Sequence, residues 1–586
     1  MGEVIDPTLI VYTFDGPAPD ERVEAGLARV RDHYQEIAHE PLRRHAWAGR
    51  QTGVVAFDDP GYECAWPDWC GDETVVLAGG YVPTGWERLV GSLEPAAAAL
   101  RLAHVLRDAP ERAALELNAP LVSVVVDRRA ERVLILNDRL GAGRLYEMRF
   151  EGGHVWSNRL GVLPLFSGEE PRPDRRGWSL FAANGWFMRD STPLEGARKV
   201  PPASIVEISD GEITRRTTDA AAQILAGRSR PFEDLVEQFA AEAQGALVAA
   251  NALYADPPRV DLSGGRDSRV SAAAAIAAGV PAQLRTSDVN PGEADIARQL
   301  VAAAPVQLEH RVKWGGDKVK RRTTDLRERA LASFRLHDGM RYAGKVRGRL
   351  QLPPPAMDRA TISGHGGEIG HGFYYTNEKK LHQAQTGGFD GMVDRLLTSC
   401  RRTHGAAHDE VYDLARTEFE AALHEGEEVG LEGPELLDWY YLMDRFAHRS
   451  GIAAHTQRIT VFSTPSFLVG AFALTPRDRL DAKLHHAAIH QLVPEWSEVP
   501  FFKASRGTMP KTRRARIWEG ADGRAMSKMI KQEESWTELF DERRVKRLWR
   551  RARIRRGRGE WEQVFERIAC RVAFDDYAAL IRRRLG

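Results

Sequence analysis

The segment Arg259–Gly279, RVDLSGGRDSRVSAAAAIAAG, permits few arrangements. Val260–Leu262 reads as the end of a buried strand, Ser263–Gly264–Gly265 as a tight turn, and the alanine-rich run from about Asp267 as a helix. Two glycines let the turn backbone approach an anion with no side chain in the way. A helix starting there aims its unpaired N–H groups and the positive end of its dipole at the turn. Ser263 and Ser268 add hydroxyl donors. The loop Leu262–Ser268 therefore suits pyrophosphate, and Asp267 can hold the magnesium ion that neutralises it. The plainer alternative is a Gly-Gly turn capped by serine.

The chain has 586 residues, more than one hydrophobic core serves, so at least two domains are expected. With 43% hydrophobic and 28% charged residues it has a globular composition. Lysine plus arginine equals aspartate plus glutamate at 82 each, so net charge points to no partner. The four cysteines, Cys64, Cys70, Cys400 and Cys570, form no CxxC pair and suit a reducing cytoplasm. The first residues lack a signal-peptide pattern, and the apolar stretch Val270–Ala282 is too short to span a bilayer. A soluble cytoplasmic protein with no membrane partner is the expectation.

The first 220 or so residues read as strand-rich α/β. LVSVVVD (Leu121–Asp127) and RVLILND (Arg132–Asp138) flank a polar turn, as in a hairpin, and Pro95–Arg107 has a helical pattern. The polar stretch Ala220–Pro231 reads as a linker. An amphipathic helix is expected over Phe232–Ala250, and helices dominate through Asp390–His448. RRVKRLWRRARIRRGRG (Arg543–Gly559) is strongly basic; its two readings are a solvated helix face over packed tryptophan and leucine, or an RNA or phosphate contact. The first is the one adopted, so a nucleic-acid partner is not expected.

SGGxDS after a strand is similar to the PP-loop of ATP pyrophosphatases. TISGHGGEIGHGFYY (Thr361–Tyr375) resembles the SGEGADELFGGY signature of the asparagine synthetase family, with Ser363, Gly364, Gly366, Gly372 and Tyr374 in step and Glu368 on the family's second metal-binding aspartate. HQLVPEWSEVPFFK (His490–Lys503) resembles the stretch that carries the family's catalytic lysine, which makes Lys503 the candidate. Arg458, in AHTQRITVF, resembles the arginine of the family's ExRxPF segment. Asn137–Phe166 and Thr192–Ile208 resemble its RDxxGxxPLYY…FASExKAL and TxFxGIxxLPPG segments.

The departures matter as much. Glutamine-hydrolysing members begin Met-Cys, with the cysteine as nucleophile, whereas this sequence begins Met1-Gly2-Glu3 and has no cysteine before Cys64. Glutamine hydrolysis is therefore not expected, as in relatives resembling β-lactam synthetase and lasso-peptide macrolactam synthetase. His365 and Thr456 replace two acids that the family places near its acyl substrate, which puts aspartate in doubt. His365 could act as a general base toward an amine or as a hydrogen-bonding residue.

The resemblance implies an α/β protein: an N-terminal-nucleophile-type α/β/β/α sandwich over residues 1–220, then an adenine-nucleotide α hydrolase-like parallel sheet with added helices over 230–586. It implies ATP on Leu262, Ser263, Gly264, Gly265, Asp267, Ser268, Ser363 and Gly364, and magnesium on Asp267 and Glu368. It implies Lys503 as a catalytic residue, with His365 the second candidate from its imidazole chemistry, acting on a carboxylate and an amine; a homodimer stays open. Alternatives are an asparagine synthetase acting on aspartate, a tRNA-modifying PP-loop enzyme, and a non-catalytic nucleotide-binding protein.

Overall fold

Side-chain alternation decides how the first two sheets are covered. In this computed structural model, residues 6–61, 64–82, 84–288, 290–313, 324–347, 359–400, 405–449, 458–502, 516–554 and 561–586 are described. The strands before residue 220 are β1 (Thr8–Phe14), β2 (Arg43–Ala48), β3 (Thr52–Asp58), β4 (Trp69–Gly71), β5 (Val75–Gly79), β6 (Val122–Asp127), β7 (Arg132–Asn137), β8 (Tyr146–Phe150), β9 (Gly153–Ser157), β10 (Ala197–Lys199), β11 (Ser204–Ser209) and β12 (Glu212–Thr217). They form two antiparallel six-stranded sheets, ordered β10-β8-β9-β1-β3-β2 and β12-β11-β7-β6-β5-β4.

Leu9, Val11, Val54 and Ala56 of the first sheet pack with Val76, Val124, Val133, Ile135 and Val206 of the second in one buried cluster. The residues between them point the other way. Ile10, Tyr12 and Phe57 join Val23, Leu27 and Val30 of the helix Asp20–Gln35, while Leu77, Val125 and Leu134 join Ala98 and Leu102 of the helix Pro95–Asp108. With a period of two, the central strands of each sheet bury both faces while the edge strands β2 and β12 stay largely exposed, and each large aliphatic side chain so buried contributes about 1.5–3 kcal/mol. The result is the expected α/β/β/α sandwich. The hairpin read at 121–138 is β6–β7, with Val122 opposite Asn137.

The third sheet is parallel: β13 (Arg259–Asp261), β14 (Gln283–Ser287), β15 (Glu309–Lys313), β16 (Thr361–Ile362) and β17 (Arg458–Ile459), in the order β15-β14-β13-β16-β17. The chain runs outward from β13 to β14 and β15, then returns to place β16 on β13's other side. In such sheets the crevice opens beyond the carboxyl ends of the two strands where the order reverses. Here those strands are β13 and β16.

One expectation fails. Ala220–Pro231 is no free linker: Asp219 caps the helix Ala220–Leu225 by accepting from Ala222 N–H at 2.8 Å, and a 3-10 turn follows over Ala226–Ser229. Gly227 packs against Val469, and Arg228 pairs with Glu435 at 2.7 Å. The stretch misled because it ends in Gly227-Arg228-Ser229-Arg230-Pro231, which reads as a loop, and only Ala220, Ile224 and Gly227 are buried.

The sandwich docks on the parallel-sheet half through two buried arginines. Arg144 Nη1 donates to His337 O at 3.1 Å, and Arg159 donates to Leu336 O and Arg335 O, both at 3.3 Å. These carbonyls end the helix Leu326–His337, whose C-terminus carries a partial negative charge. Burial disfavours the Arg159 charge, but Asp338 and Tyr34 outweigh it and hold the guanidinium above its ordinary range. The C-terminal helix Glu562–Leu585 packs against both halves: Phe574 meets Trp178 at 5.4 Å and Phe334 at 5.8 Å, and Arg567 donates to the Ala182 and Ala183 carbonyls at 2.7 and 2.9 Å. Among the described residues, no helix is long and apolar enough to cross a membrane.

We expect Arg159→Met to lower unfolding free energy by about 3 kcal/mol, since it orphans buried carbonyls and Asp338. Arg298→Ala removes an exposed pair with Asp295 and should cost under about 1 kcal/mol. Urea denaturation of both variants checks the contrast.

Candidate active site

The turn after β13 is fixed from below. Leu262 N–H donates to Arg285 O at 2.9 Å, and Leu262 O accepts from Thr286 Oγ1 at 2.8 Å. Ser263 N–H then donates to Ser268 Oγ at 3.0 Å, the two serine hydroxyls lie 2.9 Å apart, and Gly265 N–H donates to Ser263 Oγ at 3.1 Å. The helix Arg266–Ala277 starts within this small network. Its first N–H groups have no intrahelical acceptors and face the turn.

The loop after β16 lies on that turn. Ser363 is buried; its N–H donates to Ile459 O at 3.1 Å and its carbonyl accepts from Ser271 Oγ at 3.3 Å. A Cβ on Gly364 would stand 2.5 Å from Ser268 N, and one on Gly367 would stand 2.4 Å from Asp267 Cγ. On the other side, Phe502 N–H donates to Gly264 O at 2.8 Å, and a Cβ on Gly264 would stand 2.7 Å from Phe502 Cβ. Gly364 thus meets backbone, and Gly264 and Gly367 meet the Phe502 and Asp267 side chains, at distances open to glycine alone. Leu262, Ser263, Gly264, Gly265, Asp267, Ser268, Ser363 and Gly364 are thus brought together at the β13–β16 switch point.

The two carboxylates read as a metal pair each have their own cationic or imidazole partners. Asp267 Oδ1 lies 3.2 Å from His371 Nε2 and 3.1 Å from His485 Nε2. Burial pushes the Asp267 carboxyl up, yet the two imidazoles outweigh it and hold the group well below the ordinary carboxylate range. Burial drives His485 down, against the pull of Asp267. Glu368 sits on the 3-10 turn Gly367–His371; Oε1 pairs with Arg449 at 3.0 Å and Oε2 accepts from Gly366 N–H at 3.1 Å. Among the described residues, no three His, Cys, Asp or Glu side chains are grouped to hold a metal ion. Magnesium does not need such a group, since it is commonly held by one or two carboxylates and by phosphate oxygens.

His365 lies against Phe446, with ring centroids 5.2 Å apart, and its carbonyl accepts from Thr460 Oγ1. Burial, then the charges of Arg449 and Arg458, push its imidazole down to about 3. A group so weakly basic is poorly matched to proton abstraction near neutral pH. Lys503 and Thr456 fall outside the described residues; Arg458 is exposed on β17.

Sequence reasoning missed His371 and His485, which reach Asp267 from distant parts of the chain. It also missed Arg269, a buried helix residue that donates to Val499 O at 2.5 Å and Pro500 O at 2.9 Å, with its guanidinium 4.2 Å from the Phe501 ring centre. Arg269 thereby ties the loop helix to the segment that ends at Phe502. Its place beside the SGGRDS motif was the only signal.

No protein-family model matches the chain, and no curated protein matches it. A solved structure described as the allosteric regulatory enzyme of purine biosynthesis is 11% identical with a TM-score of 0.24, over 60% of this chain and 89% of that one. A glutamine phosphoribosylpyrophosphate amidotransferase from B. subtilis, complexed with ADP and GMP, is 12% identical with a TM-score of 0.23, over 60% of this chain and 90% of its own. At such TM-scores the likeness implies nothing about the chemistry of this chain.

Gly364→Ala should destabilise by about 1–3 kcal/mol, because the neighbouring backbone must move. Gly391→Ala, in a helix with open space around it, should be neutral or stabilising by up to about 1 kcal/mol. Thermal unfolding of both separates close packing from a general intolerance of alanine.

The depressed His365 has a sign that can be tested. Its folded pKa of about 3 lies below the unfolded value, so its contribution to stability is full above about pH 6.5 and is lost as pH falls toward 3. The pH dependence of unfolding free energy should flatten over that window in His365→Asn.

Proposed function

We propose that this chain is an ATP-dependent amide-forming ligase that transfers AMP to a carboxylate, releases pyrophosphate and passes the acyl group to an amine. The observation that carries this reading is the close approach of Gly364 and Gly367 to Ser268 and Asp267, with Gly264 held against Phe502, which brings glycine backbone and a helix N-terminus together at the switch point. Such a place suits the triphosphate of a nucleotide. Ser263 and Ser268, hydrogen-bonded to one another, would turn their hydroxyls to phosphate oxygens. Asp267 would hold the magnesium ion, which when bound neutralises phosphate charge, and Glu368 would join it on leaving Arg449.

In the first step the substrate carboxylate oxygen bonds to the α-phosphorus and the bond to pyrophosphate breaks. In the second the amine bonds to the acyl carbon, AMP leaves, and the amine gives up a proton. Lys503 would stabilise the charge that develops on the acyl oxygen. Its sequence neighbour Phe502 is bonded directly to the loop through Gly264 O. His365 fits a neutral hydrogen-bonding role beside the acyl group better than that of a base.

Glutamine hydrolysis is not part of the proposal. Cys64 and Cys70 are the cysteines of the sandwich, and burial pushes their thiols up to about 12 and about 11, away from the reactive thiolate. With this reading goes the division into a sandwich over 1–220 and a synthetase half over 230–586.

ATP, magnesium and a panel of carboxylates and amines should give AMP and pyrophosphate in equal amounts. Asp267→Ala should lower the rate at least about 100-fold, and Lys503→Ala should act mainly on the second step. ADP and phosphate as products would overturn the proposal. A second reading, nucleotide binding without turnover, draws support from the partners that already occupy Asp267 and Glu368. ATP binding with no AMP formed from any substrate would select it.

A further inference from the structure

The helix Glu542–Ile554 has seven basic residues and one acidic residue, Glu542, in a chain whose total charge is zero. Its apolar side is already used: Val545, Trp549 and Ala552 are buried, Trp549 meets Phe565 at 5.0 Å, and its Nε1 donates to Ser527 Oγ at 3.2 Å. At about 100° per residue the basic side chains cover roughly half the circumference opposite that seam. Arg543, Arg544, Arg547, Arg550, Arg551 and Arg553 are all exposed. Lys546 pairs with Glu542, and Arg544 donates to Gly405 O at 2.6 Å. Among the described residues, no carboxylate pairs with Arg543, Arg547, Arg550, Arg551 or Arg553.

Stability does not explain this face. Like charges at i and i+4, such as Arg543 and Arg547, repel one another, and the core contact needs only the other side of the helix. Arginine in place of lysine favours planar, two-pronged contacts with phosphate.

We propose that this face binds the phosphate backbone of a single-stranded nucleic acid, independently of the adenylation reading. The observations favour that partner over three others. An anionic membrane would need the helix's apolar side, which the core occupies. A DNA duplex takes a helix into its major groove, which a helix embedded along one side cannot enter deeply. An acidic protein would be anchored by a cluster of apolar or aromatic side chains, and the arginine arc offers one alone, the exposed Ile554 at its C-terminal end. Backbone phosphates need charge alone, and a flexible strand can follow a convex ridge about 20 Å long.

The test uses the full chain and a fluorescein-labelled oligouridylate of about 20 residues, with fluorescence anisotropy as the readout. At about 50 mM salt we expect binding that weakens as salt rises, with a slope that reports the phosphates neutralised. Arg547→Gln/Arg550→Gln/Arg551→Gln should weaken binding at least about tenfold and reduce the slope by about 2, at about 0.7 per phosphate on a single strand. An Arg582→Gln/Arg583→Gln/Arg584→Gln variant, with the same charge removed from the last turn of the C-terminal helix, should bind like the wild type. An unchanged melting temperature shows that the first variant is folded, as its exposed side chains lead us to expect. Absent binding at low salt, equal loss in the two variants, or equal affinity for polyglutamate would each overturn the proposal, the last in favour of an acidic protein partner.

Discussion

The arrangement depends on a contact that no side chain could enter. Gly364 and Gly367 lie against Ser268 and Asp267 at distances where a Cβ would clash, so the loops after β13 and β16 join into one surface. The sheet order creates the need for that contact. β16 returns to the side of β13 away from β14 and β15, and the crevice opens where the two directions part. Larger residues at either glycine would push the loops apart and separate Asp267 from the turn that carries His371.

That surface is held from several sides. Arg269 ties the loop helix to the Val499 and Pro500 carbonyls, and Phe502 returns a hydrogen bond to Gly264. Farther away, Arg144 and Arg159 of the sandwich close the negative end of the helix Leu326–His337. The C-terminal helix packs aromatic side chains against both halves. A rearrangement of the sandwich would therefore be felt by the helices Leu326–His337 and Glu562–Leu585. The same principle serves both places: buried guanidinium groups satisfy backbone carbonyls that would otherwise be orphaned.

Local patterns were legible in the sequence and distant ones were not. The strand, turn and helix around Ser263–Ser268 lie within one short segment, and the β6–β7 hairpin shows in its alternation, so both could be read directly. The layered sandwich followed from the resemblance over residues 137–208, and the burial of both faces of its central strands agrees. The two histidines on Asp267 could not be read, because His371 stands 104 positions along the chain and His485 farther still. The partnership of Glu368 with Arg449 was hidden for the same reason. Ala220–Pro231 misled by its loop-like ending, Gly227-Arg228-Ser229-Arg230-Pro231, while a capped helix and one ion pair hold it in place.

The central claim is that this surface activates a carboxylate by moving AMP onto it. The most direct measurement follows a carboxylate oxygen labelled with oxygen-18 through one turnover with ATP. An acyl adenylate transfers one carboxylate oxygen to the phosphate of AMP when the amine displaces it and keeps the other as the amide carbonyl, so the account predicts label in AMP and in the amide, and none in pyrophosphate. Label in inorganic phosphate, with ADP as coproduct, would mean attack at the γ-phosphorus and would contradict it.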